Sequence, residues 1–244
     1  MAPKIDIQFI YKKNKYILYL LILFSSNYFS QNKTLAEKKH KYWALERNYT
    51  YEVTYVDSLD KLLSYETLTL QPTEKVWERD SKQTLVIFLS NYSSSDSALL
   101  FQKAQNGLKR SWMHKYEEGV IENENRIWIH PLRQNQYVLT EIAPFPEVKL
   151  PLEVNRSWQS MLQIYEGFGS FQGDVKSNYI IESREARHYK FGTLACWKIN
   201  SEGEHTKLGK NGAVFYFNKE VGFTEMNYWF YNGYKISLKL IDFR

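Results

Sequence analysis

From Tyr49 onward the apolar residues recur at every second position. Tyr49, Tyr51, Val53 and Tyr55 alternate with Thr50, Glu52 and Thr54, and Thr224, Met226, Tyr228 and Phe230 alternate with Glu225 and Asn227. Successive side chains of a strand point to opposite faces, so these runs predict half-buried strands with one aromatic face. Ile236, Leu238 and Leu240 repeat the pattern after Asn232-Gly233, a dipeptide that tolerates positive φ and therefore predicts a hairpin turn. The same criteria predict strands over 62–71, 84–90, 98–103, 110–116, 126–130, 137–142, 158–165, 177–183 and 213–218, with turns at Asn106-Gly107 and Asn211-Gly212. Only 33–47 has a helical pattern. Short strands joined by tight turns predict an all-β, mainly antiparallel meander, a strongly curved sheet or open half-barrel with a short N-terminal helix.

Four of the six prolines, Pro131, Pro144, Pro146 and Pro151, interrupt this rhythm between His130 and Leu152. Proline cannot donate to a central ladder, so the segment predicts a long ordered connection crossing the sheet, with Phe145 tucked into the core.

Ahead of the strands, Lys4, Lys12, Lys13 and Lys15 precede an apolar run from Tyr16 to Phe24, which Ser25, Ser26 and Asn27 follow. A positive segment, a short apolar run and a small residue near its end form the layout of a secretory signal. The run is shorter than the ~20 residues a membrane span needs. Cleavage is expected after Ser30, leaving 31–244 as one β-rich domain, exported and without a stable membrane span. No Cys lies near the end of the run, so a lipoprotein anchor is not expected. Residues 1–30 carry three of the five net positive charges, which leaves the rest of the chain at +2. So weak a charge, without a basic stripe, gives no reason to expect nucleic-acid binding. Four Asn-x-Ser/Thr sequons, at Asn32, Asn48, Asn91 and Asn155, would accept glycans only in a eukaryotic secretory pathway.

Contiguous chemical motifs are missing. The five histidines, His40, His114, His130, His188 and His205, lack metal-ligand spacing. Gly167 to Gly173 places its third glycine one position late for a dinucleotide loop and is expected to be a turn between strands. Ser170 stands in no hydrolase elbow. The acidic pairs Glu117-Glu118 and Glu122 with Glu124 flank Gly119 and Asn123, where charged turns are expected. Cys196 is the sole cysteine, so no internal disulfide forms, and it is expected to be packed and structural. No enzyme activity, cofactor or metal is therefore expected.

The segment Arg126 to Arg133 is the strongest candidate site. Alternation puts Trp128 and His130 on one strand face with Arg133 just beyond, so an indole, an imidazole and a carboxylate-binding guanidinium could meet at a strand end; the alternative is an edge strand whose Arg133 pairs with Glu141 or another surface acid. The chain also holds 7 Trp, 19 Tyr and 14 Phe. A β-rich core uses many aromatics, and an unfilled concave sheet face would use them to bind a hydrophobic ligand. Trp128, His130, Arg133, Trp158 and Trp197 are the candidate ligand-binding residues.

Phe29-Ser30-Gln31, Ile129-His130-Pro131-Leu132-Arg133, Pro144-Phe145-Pro146, Gly192-Thr193-Leu194-Ala195-Cys196-Trp197 and the run from Tyr216 to Phe223 resemble uncharacterised exported bacterial envelope proteins. The hairpin meander is similar to the half-barrel of the lipoprotein carriers LolA and LolB. That resemblance implies a periplasmic or extracellular, non-enzymatic protein that binds an apolar or lipid-like ligand, with lipid or lipoprotein partners, and it assigns no site residue. The alternative is an envelope interaction module without a ligand cavity, docking another protein through a sheet edge or aromatic patch.

Overall fold

The structure, a computed structural model, describes residues 47–92, 113–166 and 168–244. The signal layout, the helix predicted over 33–47 (except Arg47), the strand over 98–103 and the Asn106-Gly107 turn lie outside them. Within them the alternation becomes twelve strands: β1 (Tyr49–Val56), β2 (Leu62–Trp77), β3 (Asp80–Asn91), β4 (Lys115–Glu122), β5 (Arg126–Ile129), β6 (Glu147–Lys149), β7 (Ser157–Ile164), β8 (Gly173–Tyr189), β9 (Gly192–His205), β10 (Gly209–Asn218), β11 (Gly222–Trp229) and β12 (Lys235–Phe243). Every neighbouring pair is antiparallel, in the order β6-β5-β4-β3-β2-β1-β12-β11-β10-β9-β8-β7. Pairing of β1 with β12 joins the two arms of the meander, and among the described residues the sheet edges are β6 and β7. The sheet is a nearly closed barrel with one seam.

Burial follows the predicted period. Tyr49, Tyr51 and Val53 are fully buried, while Thr50, Glu52 and Thr54 between them are half-buried. Register then builds a continuous inner row of Val53, Leu238, Met226, Phe215, Ile199 and Ile181 across six strands. A slip of one residue would turn each of these outward, so the core fixes the register.

A predicted strand and a predicted turn need correction. Residues 137–142 are not a strand but part of 3-10 turns over Asn135–Ile142, and all eight residues of these turns are buried. A strand hides one face and pairs at its edges; this segment is enclosed on all sides. Asn211-Gly212 is not a turn either, since both residues lie inside β10, and Thr206 to Leu208 join β9 to β10. Gly212 is needed because the Trp229 indole lies where a Cβ would stand. Asn211 holds its place by donating to the Ile142 carbonyl (3.1 Å) and accepting from Tyr231 N–H (3.0 Å).

That bond from Asn211 shows where the long connection runs. From Asn135 to Ile142 it reaches from β2, where Ser64 and Glu66 hydrogen-bond Gln136 and Tyr137, to β10 on the other arm. Pro144 then packs against Gly203 on β9, and the Phe145 carbonyl accepts from Tyr179 on β8 (3.1 Å). The connection crosses the barrel interior as an internal plug. Its Tyr137, Ile142 and Ala143 belong to the same apolar core as the barrel wall. Glu66, which faces Val53 in register, brings a carboxylate into this core and accepts from Ser90 (3.0 Å) as well as Tyr137. A buried carboxylate left without donors would cost several kcal/mol, and Glu66 is satisfied by one donor from the wall, Ser90, and one from the plug, Tyr137.

At the far end of β8 and β9 the hairpin tip lies against β11 and β12. Tyr189 donates to Thr224 (2.8 Å), Phe191 packs edge-on against Phe243, and Arg187 pairs with Glu225 (2.9 Å). Cys196 is sealed beneath this tip, as a structural cysteine should be, and burial pushes its thiol pKa up. A protonated, covered thiol is chemically inert.

Candidate functional site

No ladder bonds join β6 to β7 among the described residues. Side chains close the gap instead: Trp158 Nε1 on β7 donates to Glu147 Oε2 on β6 (3.1 Å), and Trp158 stacks on Tyr179 with ring centroids 5.1 Å apart. Beside this bridge lies a cleft of about 290 Å³. Ile121, Trp128 and Glu147 are register partners across β4, β5 and β6 and form one wall. Met161 and Leu162 of β7 and Val175 of β8 form the other, and Phe145 closes one side with its ring 5.8 Å from Trp128. Arg126 and Glu147, 3.7 Å apart, supply charge at the rim.

The candidate residues divide accordingly. Trp128 lines the cleft, and Trp158 reaches it through Glu147. His130 stands behind Trp128, with the rings of Trp77, Trp128 and Phe145 centred 5.3, 5.6 and 6.2 Å from its own. Arg133 turns into the barrel, not out to a surface acid: its Nε and Nη2 donate to the two oxygens of buried Glu118, each at 3.2 Å, with Glu141 3.9 Å away. Trp197 does not join them. It pairs in register with Arg184 and Phe217, and its ring lies under the Arg184 guanidinium at 5.6 Å.

Electrostatics follow from this burial. Desolvation raises the Glu118 pKa, and the Arg133 guanidinium pulls it back. His130 has Nδ1 3.3 Å from Glu118 Oε2, yet burial and the positive charge of Arg133 push its pKa down to about 3. The imidazole is therefore neutral, and the hydrogen bond of its Nδ1 is to the Pro131 carbonyl (3.4 Å), which can only accept. Its other polar neighbour is the Glu118 carboxylate, so neither is a hydroxyl or thiol that it could activate. Burial likewise raises the Glu147 pKa, against the opposing effect of Lys149, Trp158 and Arg126. Among the described residues no group of three or more His, Cys, Asp or Glu could hold a metal ion.

The sequence gives no sign of Glu147 or Gln83, and the turn expected at Glu117-Glu118 and Gly119 is instead the middle of β4, where Glu118 points inward. Glu118 was legible: it stands two residues from both Tyr116 and Val120, in phase with their buried face. Gly119 shows why the neighbourhood is tight. A Cβ there would meet the Gln83 carboxamide oxygen and lie 2.6 Å from the Trp77 ring, which packs on His130. Gly119→Ala is expected to cost about 1–3 kcal/mol by overpacking, read as a lowered urea midpoint. Gly212→Ala should cost less, because Trp229 is 38% exposed and can swing outward.

A larger groove, about 430 Å³, lies on the outer wall over β1 and β10 to β12, lined by Val56, Val214, Trp229 and Ile236 among others. It holds one charged residue, Lys235, and no converging acid and base. The seam cleft is the better candidate on that ground.

No family model matches the chain, and no curated protein matches its sequence. Among solved structures it is similar to a Bacteroides fragilis protein described as exported and of YmcC-like fold, at 8% identity over 82% of this chain and 96% of that one, with a TM-score of 0.45. A Parabacteroides distasonis protein described as a lipoprotein gives 10% identity, 83% and 98% coverage and a TM-score of 0.45. YmcC of Escherichia coli, described as a hypothetical lipoprotein, gives 11% identity, 82% and 89% coverage and 0.39.

Proposed function

We propose that this chain is an exported, non-enzymatic binding protein of the bacterial envelope, periplasmic or extracellular, whose seam cleft holds an apolar or lipid-like ligand. The cleft carries this reading: an open space of about 290 Å³ between Trp128, Phe145, Met161 and Leu162, in a barrel through whose interior the buried connection Asn135–Ile142 runs. Export rests on the N-terminal basic and apolar layout. A likeness to lipoprotein carriers would place the ligand in the hollow of the sheet; with the plug there, the seam is the place left for it. The test is native mass spectrometry, with lipid extraction, of mature protein purified from its own envelope. A bound apolar species that Trp128→Ala removes is the expected result.

One observation favours a second function, the docking of a protein partner. Leu59, Leu62, Trp229 and Tyr231 are exposed on the adjoining β1–β2 and β11–β12 hairpins, which the Lys235–Asp60 ion pair ties together. A clean apo mass with no extractable lipid would move the assignment there.

A further inference from the structure

Resting on the seam-cleft function, we propose that the ligand is a single-chain anionic amphiphile. Its acid group pairs with Arg126, and its one medium-length chain lies along Trp128, Phe145, Met161 and Leu162. Size sets the chain count. At about 290 Å³ the cleft lies at the small end of the ~300–1,000 Å³ usual for ligand pockets, which suits one chain of medium length better than the several acyl chains of a lipoprotein anchor. Trp128, Phe145, Met161 and Leu162 supply the large apolar groups of the lining, and Arg126 is its cation.

Charge sets the headgroup. Arg126 has 41% of its side chain exposed, and its one ion-pair contact, to Glu147 Oε1 at 3.7 Å, is longer than a hydrogen bond. Two acids of the cleft lining have other hydrogen-bond donors. Glu147 Oε2 accepts from Trp158, while Asp80 accepts from Lys82 N–H through Oδ1 and from Gln83 Nε2 through Oδ2, each at 3.0 Å. An incoming carboxylate or phosphate can therefore take the forked guanidinium in two parallel bonds. Glu147, the acid it would approach, already has a raised pKa and takes up a proton more readily than an exposed glutamate.

Decanoate, decanol and decylamine, each below its micelle concentration, test this by calorimetric titration into the full mature chain, its Arg126→Gln variant and its Trp128→Ala variant. Wild type should bind decanoate about 10- to 100-fold more tightly than the other two, the range for one charge-assisted pair. Arg126→Gln should erase that preference while decanol still binds, and a wild-type circular dichroism spectrum and urea midpoint show that the variant folds. Trp128→Ala should weaken all three. Equal binding of the three by wild type, or a preference that survives Arg126→Gln, would overturn the anionic class while leaving the apolar cleft standing. Absence of binding by all three would overturn the cleft function itself.

Discussion

Replacing Arg133 with methionine is expected to destabilise the protein by about 3–5 kcal/mol, because it leaves a carboxylate inside the barrel without its counterion. Glu118 has a side chain 2% exposed and takes both hydrogen bonds of the guanidinium fork, and Glu141 stands near the remaining nitrogen. Removing the cation leaves the acid two poor options, to stay charged without water or to take a proton at a cost. The pair itself need not be worth so much. Exchanging both partners, Arg133→Met with Glu118→Leu, removes the stranded Glu118 charge, and the double variant should recover the part of the loss due to Glu118, with Glu141 still lacking its cation. Urea denaturation of wild type, both single variants and the double variant reads this out. A single-variant cost under about 1 kcal/mol would mean that the pair behaves as an exposed one, and that the plug is held in the barrel by its apolar residues alone.

The same contrast marks how far the sequence could be read. Strand alternation is a property of each run by itself, so β1, β11 and β12, with the Asn232-Gly233 turn between the last two, were legible from a few residues. The nearly closed barrel follows from the β1–β12 pairing, which joins residues almost two hundred positions apart, and no local pattern encodes it. Proline spacing revealed the connection from His130 to Leu152 but not its location, because polar residues such as Gln136, Thr140 and Glu141 look like surface residues until Glu66, Ser64 and Arg133 are seen to meet the plug from inside. Trp128 and His130 were found because neighbours on one strand face stay neighbours in space. Trp197 had no such partner, and Glu147 and Trp158 meet only across the seam, where two strand ends that never pair happen to lie side by side.

His130 gives the second large effect, an acid sensitivity that a glutamine in its place should lack. Burial beside Arg133 lowers its pKa from 6.5 to about 3, so the folded protein keeps the ring neutral while the unfolded chain protonates it near 6.5. The unfolded state thus binds the extra proton first. The stability that His130 contributes is present in full above pH 6.5 and is lost as pH falls toward 3, reaching about 4–5 kcal/mol at the acid limit. Glu118 acts with the opposite sign. Its raised pKa makes the folded state the better proton binder, so stability grows as pH falls through that range. The raw pH curve mixes the two, and the difference between wild type and His130→Gln isolates the imidazole, since the carboxamide N–H can still donate to the Pro131 carbonyl. Between pH 7 and pH 4, urea midpoints should show wild type losing about 3 kcal/mol more than the variant. Parallel curves would mean instead that the folded protein holds His130 as an imidazolium paired with Glu118, and that the ring behind Trp128 carries a positive charge.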